Sequence, residues 1–410
     1  MVGLALAGLA IAYATQPSEG QAPQEKQGEL EGRKDRLKLR PRVLLQAQGA
    51  SYSVNGPDED SVSRTEGTLR RARLGFNASL GRRIQASFVY DFAHSGGEEK
   101  GRINAAWIQY RAGELLALRA GAFAPWQGLE GSSAETLFME RSAPSSLYRG
   151  LVGGDARIGG ALIAESQRWT LTASVTGDSI NRSKATGQLG AGVRGTYLLV
   201  SRGNVKVHVG ASVSLILQSP HETGARRLRF ADNPEAHLAM PRLIDTGTIP
   251  ARAAASANFE AAVQKGPLEA QGEYFRALPK DCGGACKNVH LSGWYVQAAW
   301  TITGEARRYR SGGFESPLPK ASVGKEAQGF GAIELGLRYS RLDMENDAPQ
   351  APGSSIGGRQ EGLGFQANWY LTSAMRLSAS IQRVHGERQV PGGSDPFHLR
   401  AILLRAQYAL

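Results

Sequence analysis

Arginine is the residue whose spacing in this chain most directly suggests chemistry. Arg71 and Arg73 are separated by one residue, and further basic residues alternate with apolar ones elsewhere in the sequence. Their chemistry is electrostatic rather than covalent, because a guanidinium offers a planar set of N–H donors that matches phosphate or carboxylate. Two arginines on one face of a strand repel each other. We therefore expect this pair to meet an anion or a counter-ion.

Other arrangements that could do chemistry are weak. The seven histidines are scattered, without the H-E-x-x-H spacing of a zinc site. The glycine-rich segment 153–160 precedes no predicted helix, which argues against a nucleotide phosphate loop. His208 shares a strand face with Ser212 and Ser214, but four or more residues of strand separate them too far for a catalytic pair. We expect no enzyme activity, no cofactor and no metal site, and no nucleic-acid partner because the basic residues form no exposed patch with stacking aromatics.

The two cysteines, Cys282 and Cys286, lie close together in a polar segment. Two are too few for a disulfide scaffold or a cysteine-based zinc module, and His290 alone does not complete a metal site. In an exported protein this pair is expected to form a small loop disulfide.

The elements that must position the arginines are β-strands. From Arg70 to Leu80 the residues alternate, with apolar side chains on one face and Arg71 and Arg73 on the other, and a period of two indicates a strand. Sixteen such segments follow one another, whereas helical periodicity is scarce. They lie near 38–53, 66–80, 82–93, 102–111, 115–124, 155–164, 167–177, 188–200, 203–217, 253–264, 267–276, 290–304, 330–343, 360–371, 375–385 and 398–409.

The connections between these segments alternate between short and long. This parity is typical of an antiparallel transmembrane β-barrel in the bacterial outer membrane, where periplasmic turns are tight and outer loops are long. The segment 305–329 breaks the rule, because it is long on the side where connections should be short. We therefore predict an all-β, 16-stranded antiparallel barrel.

Composition agrees once each strand is divided into two faces. The 410 residues carry a formal charge of +11, and the mean hydropathy of −0.30 is that of a soluble protein. Beyond the N-terminus no apolar stretch is long enough for a membrane-spanning helix, which excludes a helical membrane protein. In a barrel only one face of each strand meets lipid, so a polar average hides an apolar half.

The N-terminus has its own pattern. Residues 1–14 are apolar and end on an A-x-A motif, which predicts a secretory signal peptide. Residues 15–37 are polar without periodicity and predict a flexible periplasmic linker. Residues 38–410 would then form the barrel.

Basic residues predominate on the face predicted to line the lumen. The lumen cations are expected to be Arg71, Arg73, Arg83, Arg119, Arg194, Lys206, Arg338, Arg376 and Arg405, and the lumen acids Asp91, Glu260, Glu269, Glu273 and Glu334. Rings of arginine or lysine are the usual device of anion and phosphate pores. The alternative is that these charges merely solvate a wet wall.

The connection 125–154 is too apolar for a plain exposed loop. It carries Trp126, Phe138 and Leu147 together with Arg141 and Arg149. We expect it to fold inward against the barrel wall and narrow the pore; packing on neighbouring loops or at a subunit contact is the alternative.

An ordered series of motifs resembles the phosphate-selective porin O/P family. The series comprises RRARLGF (70–76), YDF (90–92), RAGAFAPW (119–126), TLFMERS (136–142), RWTLTASVTGD (168–178), GEYFRA (272–277), GWYVQAAWTITGEARRYR (293–310), ELGLRYSRLD (334–343) and FQANWYLTSAMRLSASIQRV (365–384). The similarity extends over about residues 38 to 410.

The resemblance implies a sixteen-stranded, trimeric barrel that passes anions such as phosphate or polyphosphate. It implies that a loop after the fifth strand enters the pore, with Arg141 as the loop arginine, Asp91 as the wall aspartate and Arg71 and Arg73 as part of a basic ladder. Strongly phosphate-selective members use a lysine at the constriction, and this chain has none between Lys100 and Lys184.

The sequence thus predicts a passive anion-selective porin in the outer membrane, with lipid, two further subunits and small anions as its partners. Two alternatives remain open: a general, weakly selective porin, and a non-transport barrel that anchors envelope components.

Overall fold

The computed structural model describes residues 37–56, 62–93, 101–132, 136–152, 155–222, 224–232, 234–235, 242–283, 286, 289–324, 329–346, 357–390 and 393–410. The predicted signal peptide and all but the last residue of the predicted linker lie outside these residues. The side chains of Ser132, Gly150, Val152 and Glu222 are likewise not described.

Sixteen long strands form the wall, one for each predicted segment. In chain order they are β1 Leu37–Asn55, β2 Val62–Leu80, β3 Ile84–Asp91, β4 Arg102–Arg111, β5 Leu116–Phe123, β6 Arg157–Glu165, β7 Trp169–Ser179, β8 Leu189–Arg202, β9 Val205–Gln218, β10 Ala253–Lys265, β11 Leu268–Lys280, β12 Val289–Thr301, β13 Ala332–Asn346, β14 Gly357–Tyr370, β15 Met375–Val390 and β16 Gly393–Ala409.

The strands close into one antiparallel barrel. Each pairs with its neighbours in sequence, and β1 pairs with β16 in a register that sets Leu44 opposite Ala409 and Asn55 opposite His398. Closure leaves no open sheet edge, which in lipid would expose unpaired N–H and C=O groups. The predicted 16-stranded barrel is confirmed.

The two faces of the wall divide as the alternation predicts. Large apolar side chains on the outer face stay exposed, for example Ile108, Phe259 and Leu404 at 61%, 60% and 58%. The inner face is mostly polar and buried, as with Ser378, Ser380 and Gln382 of β15. This division explains the polar mean hydropathy of a chain with an apolar exterior.

Three connections pack inside the barrel. The first, 124–156, carries α1 (Gly128–Ser132), a 3₁₀ turn (Ala143–Ser145) and α2 (Ser146–Val152). The second, 219–252, contains short two-residue strands and buries Phe230, Ile244 and Ile249 completely. The third, 302–331, contains a hairpin of Arg308–Arg310 and Gly313–Glu315. Together with wall residues, side chains of the first two connections form the main apolar cluster.

The inward fold of the first connection is the one that the sequence predicts. Inward packing of the second was not predicted, and the third resolves the parity exception: it is long because its hairpin enters the lumen from the short-turn end. Among the described residues, no helix has the length and apolarity needed to cross a membrane.

Candidate pore and anion path

Acidic side chains cluster on one arc of the lumen wall, formed by β10 to β13. Glu260, Glu269, Glu273 and Glu334 lie there, and all four are at least 93% buried. A buried carboxylate is tolerated only when it is paired or hydrogen-bonded. The partners of these four groups come largely from the connections that enter the barrel.

Glu273 anchors the first helix of the inward loop. Its two carboxylate oxygens accept the backbone N–H groups of Leu129 and Glu130 at 2.8 and 3.1 Å, and Tyr295 donates its hydroxyl at 2.5 Å. Gly128 has a φ of +67°, and a Cβ there would lie 2.2 Å from Glu273 Oε1. Glycine at 128 is therefore needed both for the backbone conformation and for the close approach.

Arg338 is held at a junction of loop and wall. Its Nη2 lies 2.5 Å from Glu130 Oε1, its Nη1 donates to the Glu140 carbonyl at 3.0 Å, and its guanidinium lies 4.1 Å from the centroid of the Phe138 ring. Glu235, from the second inward connection, lies 3.7 Å away. The sequence predicted a pore-lining cation here, but the side chain is 0% exposed and fixes the loop instead.

Arg194, on the neighbouring part of the wall, is also paired with a carboxylate and contacts an inward connection. It forms an ion pair with Glu260 at 2.6 Å and donates to the carbonyl of Gly312 in the hairpin at 2.7 Å. His208 contacts the same carboxylate at 3.0 Å and Tyr309 of the hairpin at 2.9 Å. The sequence predicted Arg194 as an anion-binding residue, but its charge is matched by the Glu260 carboxylate and its side chain is buried against the hairpin.

Arg307 fixes the hairpin, and sequence reasoning missed it. It lies 2.8 Å from Glu269 and 2.9 Å from Glu334, and this carboxylate pair raises its pKa. The sequence did contain one indication of its role: Arg307 lies in an arginine-rich stretch of the segment 305–329, which is long where the loop parity predicts a short connection. A small cavity between loop, wall and hairpin, lined by Leu129, Gln297 and Phe314, has a volume of about 10 Å³, room for about one water molecule.

Arg149 pairs within the loops. It approaches Asp232 of the second inward connection at 3.5 Å, and Gln360 donates to the same carboxylate at 2.9 Å. Burial, together with nearby Glu235, raises the pKa of Asp232 to about 7, although Arg149 opposes the shift. The structure thus places Arg149 at a contact between two loops.

Arginines without a carboxylate partner lie on the remaining arc of the wall, which we call the basic arc, on β2, β5 and β15. Arg71 and Arg376 have no carboxylate within 4 Å among the described residues, and Arg376 donates to Gln407 at 3.0 Å. Arg73 pairs with Asp91 at 2.8 Å, which also accepts the N–H groups of Ala72 and Ala93. Asp91 therefore orients one arginine of the ladder.

The inward loop reaches this arc through Glu140. Arg405 contacts Glu140 and donates to the Met139 carbonyl at 2.7 Å, while Arg70 lies 3.6 Å from the same carboxylate. Because Glu130 meets Arg338 on the acidic side, the loop spans the lumen between the two arcs.

Two further predicted residues lie near the loop. Arg119 stacks on Trp107, with 4.0 Å from its guanidinium carbon to the ring centroid, and donates to Gln109. Arg141 is half-buried and lies 3.4 Å from the hydroxyl of Tyr148; burial raises the pKa of Tyr148.

Three predicted residues lie away from the path. Arg83 lies exposed in the turn between β2 and β3, and not on the strand to which the sequence assigned it. The structure links Cys282 and Cys286 in a disulfide in the connection after β11. Among the described residues, no cluster of histidine, cysteine, aspartate or glutamate could hold a metal ion.

Among the described residues, the charged side chains of the lumen fall into two groups. Loop, second connection and hairpin fill the acidic half, where each buried arginine is matched by a carboxylate. Arg71, Arg73, Arg119 and Arg376 remain on the other half, where an anion could be met by guanidinium donors.

Comparison with known proteins identifies relatives. A family described as phosphate-selective porin O and P matches residues 44–410. An uncharacterized protein of Caulobacter vibrioides is 27% identical over 306 residues, which cover 72% of this chain and 57% of that protein. Porin O of Pseudomonas aeruginosa is 30% identical over 142 residues, 33% of this chain and 31% of that protein. The alignments thus span between about a third and just over half of these relatives.

Solved structures support the same architecture. OprB of Pseudomonas putida superposes with a TM-score of 0.56 at 9% identity, covering 90% of this chain and 94% of its own. OmpT of Vibrio cholerae, an outer-membrane protein, gives 0.54 at 10% identity, with coverage of 93% and 99%. Identities this low show the fold alone. The barrel is one of the bacterial outer membrane, and the chain belongs to the phosphate-selective porin O and P family.

Proposed function

We propose that the barrel is a passive, anion-preferring diffusion channel that conducts phosphate and related small anions. The observation that carries the proposal is the basic arc: among the described residues Arg71 and Arg376 have no carboxylate within 4 Å, while Asp91 pairs with Arg73, and Glu140 contacts Arg70 and Arg405. A one-sided cationic wall beside water raises the local concentration of anions. The family name and the name of Porin O point to the same class of solute.

Phosphate suits this wall better than a simple halide does. Guanidinium groups bind phosphate oxygens with paired, charge-assisted hydrogen bonds. The described inward loop offers arginines, Arg141 and Arg149, but no lysine. We therefore expect phosphate to bind in competition with chloride rather than to exclude it.

A general, weakly selective porin is the second candidate. It is favoured by the many matched charges in the lumen, because Arg194, Arg307 and Arg338 are all neutralised by carboxylates. Such a pore would conduct chloride with little regard to added phosphate.

We also propose a homotrimer in outer-membrane lipid. One of the similar solved structures, OmpT of Vibrio cholerae at a TM-score of 0.50, is described as a trimer form. Light scattering of the detergent-solubilised protein should give the mass of three chains.

Planar-bilayer recording decides between the candidates. In a potassium chloride gradient the reversal potential should indicate chloride preference, and millimolar phosphate should reduce the chloride current. A linear current that phosphate leaves unchanged supports the general porin, and cation selectivity or no conductance from a folded trimer contradicts the proposal.

A further inference from the structure

An arginine flanked by two indoles lies on the basic side of the lumen, and we call this group the Arg119 site: Trp107, Gln109, Arg119, Phe123 and Trp126. The guanidinium carbon of Arg119 lies 4.0 Å from the centroid of Trp107 and 4.9 Å from that of Trp126. Phe123 packs beside Trp126, with 5.6 Å between ring centroids. Both tryptophans remain half-buried, so part of each indole is accessible.

Arg119 keeps hydrogen-bonding capacity in this position. Its Nε and Nη2 donate to Gln109 Oε1 at 3.0 and 2.7 Å, and no carboxylate lies within 4 Å of it among the described residues. In the described part of the chain no acceptor contacts its Nη1, whose two N–H groups could therefore bind an anion. Because its charge is unmatched and its plane is held by rings, this arginine is a pre-organised donor for an anion.

The wall beside the indole is kept free of side chains. Gly121 lies opposite Trp107 on β5, and Gly159 lies opposite Gly121 on β6. Gly121 has a φ of +121°, and a Cβ there would lie 2.7 Å from Trp107 Cα, so a larger residue does not fit. The side chain of Trp107 thus borders a flat stretch of backbone.

Hydroxyl and amide groups surround this flat stretch. On the same inner face of β3, β4 and β7 are Gln85, Ser87, Gln109, Thr172, Ser174 and Thr176. Such groups both donate and accept hydrogen bonds and match the hydroxyls of a polyol.

Inorganic phosphate would leave half of this arrangement unused. Phosphate is recognised by N–H donors and gains nothing from an indole face. A sugar ring presents C–H groups to an aromatic face and hydroxyls to amides, while its phosphate can take the guanidinium. Resting on the proposed anion channel, we propose that the Arg119 site is a subsite for a phosphorylated sugar, with the phosphate on Arg119 and the sugar ring against the indoles.

The competing explanation is mechanical: the stack only fastens the start of the inward loop to the wall. The two explanations differ in ligand preference. A fastening role affects all permeant anions alike, whereas a subsite distinguishes an organic phosphate from an inorganic one.

Block of the chloride current in planar bilayers tests the proposal, with glucose 6-phosphate and inorganic phosphate as probes at equal charge. In the unaltered protein the sugar phosphate should reach half-block at a concentration about 2- to 12-fold lower, the range that one aromatic contact supplies. Trp107→Leu should remove this preference while changing inorganic phosphate block less than about twofold. Arg119→Gln should weaken block by both anions.

Matched controls keep the result interpretable. Trp300 lies on the outer face and is 52% exposed, so Trp300→Leu should leave both blocking concentrations unchanged. If Trp107→Leu does not fold, Trp126→Leu, which removes the indole of the inward loop, serves as the second test and should also remove the preference. Equal half-block by the two anions in the unaltered protein, or a preference that survives the indole substitutions, overturns the subsite. Failure of inorganic phosphate to affect the chloride current tells instead against the proposed channel function.

Discussion

The two arcs of the lumen wall carry comparable numbers of charged side chains and treat them in opposite ways. On β10 to β13, glutamates receive arginines, backbone N–H groups and hydroxyls from elements that fill the lumen. On β5 and β15, Arg119 and Arg376 meet rings and amides. These two arginines and Arg71 on β2 have no carboxylate within 4 Å among the described residues. A charge on this wall is structural where it is paired with an opposite charge and available to an anion where it is not.

Replacing arginines of the basic arc by glutamate should produce the largest change in anion preference. In the variant with Arg71→Glu and Arg376→Glu, the anion preference should fall on the order of tenfold, because the local field that concentrates anions changes sign. The reversal potential in a salt gradient measures this ratio. Arg82→Glu combined with Arg83→Glu is the charge-matched control, since both side chains are exposed in the turn between β2 and β3. An equal effect of the control would mean that net charge, rather than the arc, sets selectivity.

Releasing the hairpin from the acidic arc of β10 to β13 should have a smaller effect on conduction. Arg307→Met leaves Glu269 and Glu334 buried without their cation, a loss of roughly 3 to 5 kcal/mol for a buried pair, which should free the hairpin. We expect single-channel conductance to rise about twofold while anion preference changes little. Arg308→Gln, at a side chain 46% exposed, should leave conductance unchanged. If Arg307→Met leaves the conductance unaltered, the hairpin does not limit the flow of ions through the lumen.

The smallest effect on conduction is expected from pH, which changes how stably the second inward connection is docked. The pKa of Asp232 is about 7 in the folded barrel and about 3.9 in an unfolded chain. The folded state therefore holds the proton more tightly, and docking stability is highest below pH 4 and declines as the pH rises toward 7. Hydrogen-exchange protection of the Phe230 and Thr246 amides, corrected for intrinsic rates, should fall by about tenfold or more across this range. Asp232→Asn should flatten the profile; a persistent slope would assign it to another group.

The wall of the barrel could be predicted from sequence because its information is local. Alternation in β2, for example, places Leu74 and Phe76 outward and Arg71 and Arg73 inward without reference to any other strand. The apolar content of 125–154 likewise predicted an inward loop. Both inferences depend only on where apolar side chains can avoid water.

The charge pairing could not be predicted, because its partners are distant in sequence. Arg338 and Glu130 are 208 residues apart, and Arg405 and Glu140 are 265 apart. Strand alternation identifies Arg194 and Arg338 as inward but cannot show that a loop covers them. Arg307 lay outside any strand pattern, so only its position in an anomalous connection marked it.

The pairing of β1 with β16 bears on how the molecule folds. Leu44 lies opposite Ala409, so the last contacts of the wall join the two ends of the barrel sequence. Bringing the two ends together costs a large loop-closure entropy before any hydrogen bond between them forms. Folding rates also fall as contacts become less local. Until closure, the strand edges and apolar faces stay available to other chains. The same seam that removes the open edge in the finished barrel therefore makes the unfinished one slow to complete and prone to aggregation.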